Sequence, residues 1–416
     1  MKEVKRSSSG SAPPAKKVHS FFTQPAGGSG AGPSRGTFDT NASPSLVHYH
    51  YLDPLEGAPP ATPVELVLYD LDGTLIKPSS GAKFPKDRND WMWWNPLVPK
   101  HIKDEIKSGK HVIVLSNQGH KAPKIRNEWR AKLPLISAKL GDLPFRVLGA
   151  LEKDIYRKPH TGMFDFVAKL YKDKGWNIDM DKVVYVGDAA GRKRDHNNTD
   201  LTMALNAGIK FYTPEEHFLG ETKAYPHPPD SFRPSDSPAL QDNLPPVVPS
   251  NTPIARDKKE IVVFTGIPAS GKTSFYRRHF ASYEHINQDT LRTRDACVRA
   301  ARKKLEEGKS VVIDNTNRNK ATRAVYVALA KEQGVPIRLF HFTTPPELAK
   351  HNNVYRALHA PADEPKRELL PALAFGSYTA DFEVPKLGEG FEEIRTVNFV
   401  WEGDEEQRKL WDRYLQ

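Results

Sequence analysis

The feature that most constrains the fold is an alternation of short apolar runs with longer amphipathic segments, which the chain repeats in two separate halves. Short apolar runs suit buried strands, and amphipathic stretches between them suit helices that cover a parallel sheet. The predicted strands are Val64–Tyr69, His111–Leu115, Arg146–Ala150 and Lys182–Val186, followed by Glu260–Thr265, Ser310–Ile313, Ile337–Phe342 and Val397–Trp401. The pattern predicts two α/β domains whose functional residues lie just beyond the carboxyl ends of strands.

Two stretches of low complexity divide the chain. Residues 1–45 carry six basic and two acidic side chains among Gly, Ser, Pro and Ala, and such a composition buries too little apolar surface to offset the entropy of ordering. Residues 226–254 contain nine prolines, which favour a stiff connector or an extended strip on a surface. We therefore predict a disordered tail over 1–45, a first domain over 46–225, a linker over 226–254 and a second domain over 255–416.

Composition narrows the class of protein further. The single cysteine, Cys297, excludes a disulfide framework and cysteine-rich zinc modules, and it favours a reducing compartment. There is no apolar run of the roughly 18 residues that a membrane helix needs, so no membrane partner is expected. Lys and Arg together number 61 against 51 Asp and Glu, a net charge of +10, and this balance favours polyanionic partners.

Two carboxylates follow the first predicted strand, in the segment Asp70-Leu-Asp72-Gly73-Thr. Like charges so close repel each other unless a cation lies between them, and oxygen ligands beside a phosphate substrate suit Mg²⁺. Asp70 can attack phosphorus to form an aspartyl-phosphate, while Asp72 can protonate the leaving oxygen and later activate water. The alternative is a solvated Asp-x-Asp pair in an ordinary turn.

A complete phosphate-binding loop follows the first strand of the second half, in the segment Gly266-Ile-Pro-Ala-Ser-Gly271-Lys272-Thr273. Its glycines let successive backbone amides face a phosphate, and the following helix presents its N-terminus to the same anion. Lys272 would reach the β- and γ-phosphates of ATP, and the Thr273 hydroxyl would hold Mg²⁺. The predicted nucleotide-binding residues are Gly266, Ser270, Gly271, Lys272, Thr273, Ser274 and Asp314.

Further residues of the second half suggest what is done with the nucleotide. Asp289 follows the loop helix at a distance from which it could accept a hydroxyl proton, and Arg292 is expected one helical turn further along the same face, where it could grip a phosphate. Asp314 ends a second strand and suits magnesium or water. Arg356 lies in a helix-like stretch that can form a lid over the transferring phosphoryl group, with a merely exposed helix as the alternative.

The first half resembles the haloacid-dehalogenase-type phosphatases, because four of their motifs occur in order from Asp70 to Asp188. The resemblance implies that Ser116 binds the phosphoryl oxygens and that Lys158 neutralises charge on the nucleophile and the phosphate. It also implies that Asp188 binds metal together with Asp70 and Asp72.

The second acid of the fourth motif is open between Asp195 and Asp200, and we expect Asp200 to be a supporting group. The nearby basic cluster Arg192-Lys-Arg194 could hold a substrate backbone or be a solvated loop.

As a whole, residues 62 to 416 resemble the polynucleotide 5′-kinase/3′-phosphatase family. The segments that carry this resemblance are Tyr156-Arg-Lys-Pro159, Tyr185-Val-Gly-Asp-Ala-Ala-Gly191, Asp314-Asn-Thr-Asn317, His351-Asn-Asn353 and Glu389-Gly-Phe391. The phosphatase-then-kinase order is that of the eukaryotic DNA-repair members. Animal members also carry a forkhead-associated domain, for which the tail is too short and too polar, so the architecture is expected to be of the fungal type.

The resemblance implies an enzyme that removes 3′-phosphates with Mg²⁺ and phosphorylates 5′-hydroxyls with ATP at DNA ends, as a monomer in the nucleus. Lys5-Arg6 and Lys16-Lys17 form a weak nuclear-import pattern, and Val18–Phe22 distantly resembles peptides that bind a sliding clamp. The alternatives are RNA end healing, a fusion of two small-molecule enzymes, and a non-catalytic nucleic-acid scaffold. A scaffold would be expected to lack Asp70, Asp72, Lys272 or Asp289, and all four are present.

Overall fold

The computed structural model describes residues 36–40, 42–119, 122–222, 225–227, 229–237, 240, 244–359 and 367–416. Most of the predicted disordered tail, with its import and clamp-binding patterns, lies outside the described residues. Among the described helices, none is long and apolar enough to cross a membrane.

The first domain is built around a seven-stranded sheet. The strands of this sheet are β1 (Gly36–Phe38), β2 (Leu46–Tyr51), β3 (Leu66–Tyr69), β6 (His111–Asn117), β7 (Phe145–Ala150), β8 (Val184–Val186) and β9 (Lys210–Tyr212). Two further strands, β4 (Ile76–Lys77) and β5 (Met92–Trp93), form a separate hairpin. The helices of this domain are α1 (Val98–Lys107), α2 (Pro123–Leu140), α3 (Gly162–Asp173), α4 (Thr199–Ala207) and α5 (Pro214–Leu219).

The order of this sheet is β1-β2-β7-β6-β3-β8-β9, parallel from β7 to β9 and antiparallel at β1 and β2. The central strand β3 is buried throughout, as expected for a parallel strand covered on both faces. Because β3, β6 and β8 are parallel, their carboxyl ends meet at one edge of the sheet. The residues that follow β3 and β8 and those that end β6 are therefore neighbours.

The second domain contains a six-stranded sheet of strands β10 (Val247–Val248), β11 (Ile261–Gly266), β12 (Glu284–Ile286), β13 (Val311–Ile313), β14 (Ile337–Phe342) and β15 (Glu393–Val397). Its helices are α6 (Lys272–His279), α7 (Gln288–Leu291), α8 (Arg294–Glu306), α9 (Lys320–Gln333), α10 (Pro346–Leu358), α11 (Ala372–Asp381) and α12 (Glu405–Trp411). The sheet order is β10-β15-β14-β11-β13-β12, and only the β10–β15 pair is antiparallel.

Three expected boundaries need correction. Strand β1 pairs with β2, so the first sheet takes up Gly36–Phe38, which lie within the predicted tail of residues 1–45. Strand β10 lies inside the predicted proline-rich linker yet pairs with β15, so the second sheet takes up the end of that linker. An edge strand of two residues tolerates neighbouring prolines because it needs few ladder hydrogen bonds. The last strand is Glu393–Val397, which shares only Val397 with the expected Val397–Trp401.

Candidate active sites

The first site begins at a tight turn after β3. The Asp70 amide donates to the Val186 carbonyl at 2.9 Å, which holds the start of the turn beside β8. Gly73 has a φ of 92°, and a Cβ atom there would lie 2.5 Å from Asp188 Oδ2. The turn therefore needs glycine both for its backbone conformation and for the close approach of a second carboxylate.

Three carboxylates converge at this edge of the sheet. Asp70, Asp188 and Asp200 each offer an oxygen atom, and these atoms lie within 4.8 Å of one another. Burial raises the pKa of Asp70 well above its ordinary value, and burial together with the charge of Asp200 raises the pKa of Asp188 to about 7. Three carboxylates so close together fit a hard divalent cation such as Mg²⁺, which would favour the charged forms of Asp70 and Asp188.

Lys158 contributes the positive charge that the structure itself supplies. Its Nζ atom lies 2.6 Å from Asp70 Oδ1 and 2.8 Å from Asp200 Oδ1, and it donates to the Leu115 carbonyl and the Tyr185 hydroxyl, both at 2.8 Å. Burial alone would lower the pKa of Lys158, but the carboxylates of Asp200 and Asp70 raise it above its ordinary value. The side chain is therefore a fixed ammonium beside the candidate nucleophile. The tyrosine was not anticipated from the sequence.

Asp72 stands apart from the acidic cluster. Its side chain is exposed, and its Oδ2 atom accepts a hydrogen bond from Gln118 Nε2 at 2.7 Å. The same Gln118 nitrogen lies 3.0 Å from Ser116 Oγ. The side-chain cluster is thus Asp70, Asp188 and Asp200 rather than the expected Asp70, Asp72 and Asp188. An exposed carboxylate beside the nucleophile still suits proton transfer to a leaving group.

The structure separates the two candidate acids of the fourth motif. Asp200 lies in the first turn of α4, accepts a hydrogen bond from the Tyr185 hydroxyl at 3.0 Å and belongs to the acidic cluster. Asp195 instead accepts hydrogen bonds from the Ala190 amide and from Arg192. Asp195 therefore fixes the loop, whereas Asp200 lies within the acidic cluster.

Arg192 belongs to the same loop network, since it also pairs with Glu215 at 2.9 Å and donates to the Asp188 carbonyl. Its neighbours Lys193 and Arg194 are exposed. Of the basic cluster, only these two side chains remain available to hold a substrate.

The hairpin of β4 and β5 begins at Ile76, whose carbonyl accepts a hydrogen bond from the Gly73 amide at 2.8 Å. Asp90 accepts hydrogen bonds from the Lys86 amide, from the Ser80 amide and hydroxyl and from the Ser79 hydroxyl, at 2.7 to 2.9 Å. These hydrogen bonds, that from Lys86 foremost, lower the pKa of Asp90 below its ordinary range. Asp90 therefore closes the loop, while the tryptophans Trp91, Trp93 and Trp94 pack against the hydrophobic core.

The second site is built on the loop after β11. Ala269 and Gly271 have φ values of 61° and 92°, and a Cβ atom at Gly266 would lie 2.7 Å from Phe342 Cβ. Lys272 Nζ donates to the Gly266 and Ile267 carbonyls at 2.9 and 2.7 Å and to Ser270 Oγ at 3.2 Å. Burial lowers the pKa of Lys272 to about 8. The ammonium group thus lies inside the curled loop, where a nucleotide phosphate would compete with these carbonyls for its hydrogen bonds.

Asp314, at the end of β13, is joined to the loop helix. Its Oδ2 atom accepts a hydrogen bond from Thr273 Oγ1 at 2.7 Å and lies 2.9 Å from His285 Nε2. Burial by itself raises the pKa of Asp314, but the hydrogen bond from His285, the charge of Lys272 and the hydrogen bond from Thr273 bring it below its ordinary value. A hydroxyl and an ionised carboxylate in contact fit a magnesium ion bound with a nucleotide.

His285 is a further residue that sequence reasoning missed. Its ring stacks on Tyr276 with centroids 4.1 Å apart.

Asp289 lies close enough to the loop for its charge to act on Lys272 and on Arg356. Helix α7 ends at Leu291, and Arg292 has a φ of 70°. The expectation that Arg292 continues a helical face from Asp289 is corrected, because a left-handed residue ends the turn.

Arg356 is half-buried rather than on an exposed helix face, and it donates to Asn353 Oδ1 at 3.2 Å. Its Nε atom is buried and has no partner among the described residues. A buried donor of this kind is available to an anionic ligand.

Comparison with known proteins agrees with a phosphatase domain followed by a kinase domain. The family model described as polynucleotide kinase 3 phosphatase matches residues 65–218, and one described as an AAA domain matches residues 293–385. Fold and sites together define a haloacid-dehalogenase-like phosphatase domain followed by a P-loop kinase domain.

The bifunctional polynucleotide phosphatase/kinase of Schizosaccharomyces pombe is 38% identical over 339 residues, which cover 80% of this chain and 80% of the relative. The polynucleotide 3′-phosphatase ZDP of Arabidopsis thaliana is 32% identical over 37% of this chain and 24% of its own length. The chain belongs to the bifunctional polynucleotide phosphatase/kinase family.

Proposed function

We propose that the chain repairs DNA ends, removing 3′-phosphates at the first site and phosphorylating 5′-hydroxyls at the second. The observation that carries the proposal is the cluster of Asp70, Lys158, Asp188 and Asp200 in the same chain as a complete phosphate-binding loop. The two products, a 3′-hydroxyl and a 5′-phosphate, are the ends that a polymerase and a ligase require.

At the first site, an Asp70 oxygen attacks phosphorus while the bond from phosphorus to the 3′-oxygen breaks, and Asp72 gives that oxygen a proton. Water then attacks the phosphorus of the aspartyl-phosphate and Asp72 takes its proton, while the bond from phosphorus to the Asp70 oxygen breaks and inorganic phosphate leaves. Lys158 and Ser116 hold the phosphoryl oxygens. Mg²⁺ held by Asp70, Asp188 and Asp200 would offset the negative charge of the phosphoryl group.

At the second site, Asp289 accepts the proton of the 5′-hydroxyl as its oxygen attacks the γ-phosphorus of ATP. The bond between that phosphorus and the β–γ bridging oxygen breaks, and ADP leaves. Lys272 and Arg356 neutralise the charge that develops on the transferred group. Thr273 and Asp314 would hold the Mg²⁺ that accompanies the nucleotide.

Asp289→Asn should lower the turnover of the kinase by roughly 10² to 10⁴ and change ATP affinity little, because the variant loses a general base and no phosphate contact. The measurement is 5′-phosphorylation at saturating ATP, with nucleotide binding followed separately. Phosphatase activity of the same preparation controls for folding. Loss of Mg-ATP binding would instead assign Asp289 to the metal.

The substrate backbone is expected on Lys193 and Arg194, the exposed members of the basic cluster. If roughly three phosphates of a single strand are neutralised, log affinity should fall with log salt at a slope of about −2. Lys193→Ala combined with Arg194→Ala should make that slope shallower by about 1.4. The same double variant should raise KM for the oligonucleotide with little change in kcat.

A control for this pair is Lys172→Ala with Lys174→Ala, which removes the same charge near the far end of α3. An unchanged slope in the Lys193/Arg194 variant would rule out this surface as the binding site.

Three comparisons separate the proposal from its rivals. Matched DNA and RNA ends decide whether a ribose 2′-hydroxyl is tolerated. Shortening the oligonucleotide to a mononucleotide should reduce both activities, whereas a fusion of two metabolite enzymes would retain them. A non-catalytic scaffold would bind DNA ends but change neither the 3′-phosphate nor the 5′-hydroxyl.

The remaining proposals concern the tail and the cell. We propose nuclear DNA ends as the substrate, a monomeric enzyme, and a weak sliding-clamp contact through the tail. Deleting residues 1–35, which leaves β1 in place, should spare both activities and lower the nuclear fraction of a fluorescently tagged protein. An unchanged distribution would contradict the import pattern.

A further inference from the structure

Asn206, on α4 of the phosphatase domain, joins that domain to the end of the kinase domain. Its Oδ1 atom accepts a hydrogen bond from the Tyr414 amide at 2.9 Å, and its Nδ2 atom donates to the Tyr414 carbonyl at 2.7 Å. Nδ2 also donates to the Pro159 carbonyl at 2.9 Å. One carboxamide therefore links residues 411–416, here called the C-terminal segment, to the residue that follows Lys158.

The loop that carries Lys158 is held from two sides. Asn117 accepts a hydrogen bond from the Lys158 amide at 2.9 Å and donates to the Lys158 carbonyl at 3.0 Å. This contact is internal to the phosphatase domain. Asn206 holds the next carbonyl, that of Pro159, and its other hydrogen bonds are made to the kinase domain. The position of the loop thus depends in part on residues of the other domain.

A second hydrogen bond crosses the same interface. Arg413 donates to Thr161 Oγ1 at 2.9 Å, and that hydroxyl donates to Asp165 Oδ2 at 2.7 Å at the start of α3. A cleft of about 440 Å³ opens beside these contacts, lined by Tyr156, Phe166 and His359 among others. The Tyr414 and Leu415 side chains of the C-terminal segment are buried, and hydrogen bonds to Asn206 and Thr161 fix the segment beside the Lys158 loop.

The opposite end of the C-terminal segment is held by the kinase lid helix. His351 Nε2 lies 2.6 Å from the Trp411 carbonyl, and Trp411 Nε1 donates to Asn352 Oδ1 at 2.8 Å. Both residues lie on α10, which also carries Arg356 of the kinase site. The C-terminal segment is therefore hydrogen-bonded to the helix of Arg356 at Trp411 and, through Asn206, to the loop of Lys158 at Tyr414.

We propose that Asn206 and Arg413 are positioning residues for the phosphatase reaction, through which the C-terminal segment of the kinase domain holds Lys158 against Asp70. The inference rests on the proposed phosphatase activity. Lys158 Nζ must stay 2.6 Å from Asp70 Oδ1 to support the nucleophile. A small displacement of a positioned group is costly, since about 1 Å can reduce a rate by roughly 10².

The test uses substitutions at the residues that make the cross-domain contacts, together with one deletion that also removes the buried Tyr414 and Leu415 side chains. Asn206→Asp keeps the shape of the side chain but places an oxygen against the Pro159 and Tyr414 carbonyls. Arg413→Ala removes the bond to Thr161, and Arg413→Lys restores a donor. Deleting residues 413–416 removes the phosphatase-facing part of the segment and keeps Trp411 on α10.

For each variant we would measure kcat and KM for 3′-phosphate removal, 5′-phosphorylation by the same preparation, and the melting temperature. Asn206→Asp and the deletion should lower phosphatase kcat about tenfold with KM within about twofold and with the kinase unchanged. Arg413→Ala should lower kcat about threefold, and Arg413→Lys should recover most of that loss.

Two results would overturn the inference. One is a phosphatase kcat within about twofold of the unmodified chain in both Asn206→Asp and the deletion. The other is a parallel loss of both activities with a lower melting temperature, which would mean that the contacts only stabilise the fold. If the unmodified chain itself removed no 3′-phosphate, the proposed function would fail, and the inference with it.

Discussion

Asp70→Asn should lower the turnover of 3′-phosphate removal by at least about 10³-fold and leave 5′-phosphorylation at its original rate. The amide cannot form the aspartyl-phosphate, and it also loses the charge that pairs with Lys158 Nζ at 2.6 Å. The kinase residues belong to a different sheet, so they keep their geometry. The measurement is the rate of each reaction on one oligonucleotide with a 3′-phosphate and a 5′-hydroxyl.

Asp181→Asn is the matched control, because Asp181 is an exposed acid of the same domain, just before β8 and away from the carboxyl ends of the strands. It should leave both rates unchanged. Substantial phosphatase activity in Asp70→Asn would exclude Asp70 as the nucleophile, and loss of both activities in a folded protein would exclude two separate sites.

Lys272→Ala should have the converse effect, lowering 5′-phosphorylation by at least about 10²-fold with the phosphatase intact. Lys272 is the ammonium enclosed by the loop, where it donates to the Gly266 and Ile267 carbonyls. The substitution removes the charge that would face the transferred phosphate. Both rates would be measured as for Asp70→Asn, together with ATP binding.

Lys303→Ala, at an exposed position on α8, removes the same charge from the same domain and should change neither rate. Equal kinase rates in Lys272→Ala and the unmodified chain would mean that the loop does not bind the donor phosphates.

The central strands could be predicted because their apolar runs are local and continuous. Strands β3, β6, β7 and β8 lie within or next to the expected runs. Edge strands could not be found in this way. Strand β2 pairs with β7, about a hundred residues away, and the two-residue β10 owes its place in the sheet to pairing with β15. Their sequences alone do not show these partners.

Many residues of the candidate sites could be predicted from sequence motifs that follow parallel strands. The carboxyl ends of those strands bring Asp70, Lys158 and Asp188 together. The choice between Asp195 and Asp200 could not be predicted from these motifs, because it depends on where α4 begins and which way its first turn faces.

The end of α7 before Arg292 could not be predicted from the sequence either, since a single residue with a positive φ does not change the periodicity of apolar residues. The contact between Asn206 and Tyr414 joins residues 208 positions apart, a separation at which no sequence spacing is informative.

The most direct test of the central claim uses an oligonucleotide that starts with a 3′-phosphate and a 5′-hydroxyl. The oligonucleotide is incubated with the chain, Mg²⁺ and ATP, and its ligation is then measured. The account predicts that the unmodified chain makes both ends competent for ligation. Asp70→Asn should yield only 5′-phosphates and Lys272→Ala only 3′-hydroxyls, while a mixture of the two variants should restore ligation. Ends left unligated by the unmodified chain, or a mononucleotide processed as fast as the oligonucleotide, would contradict it.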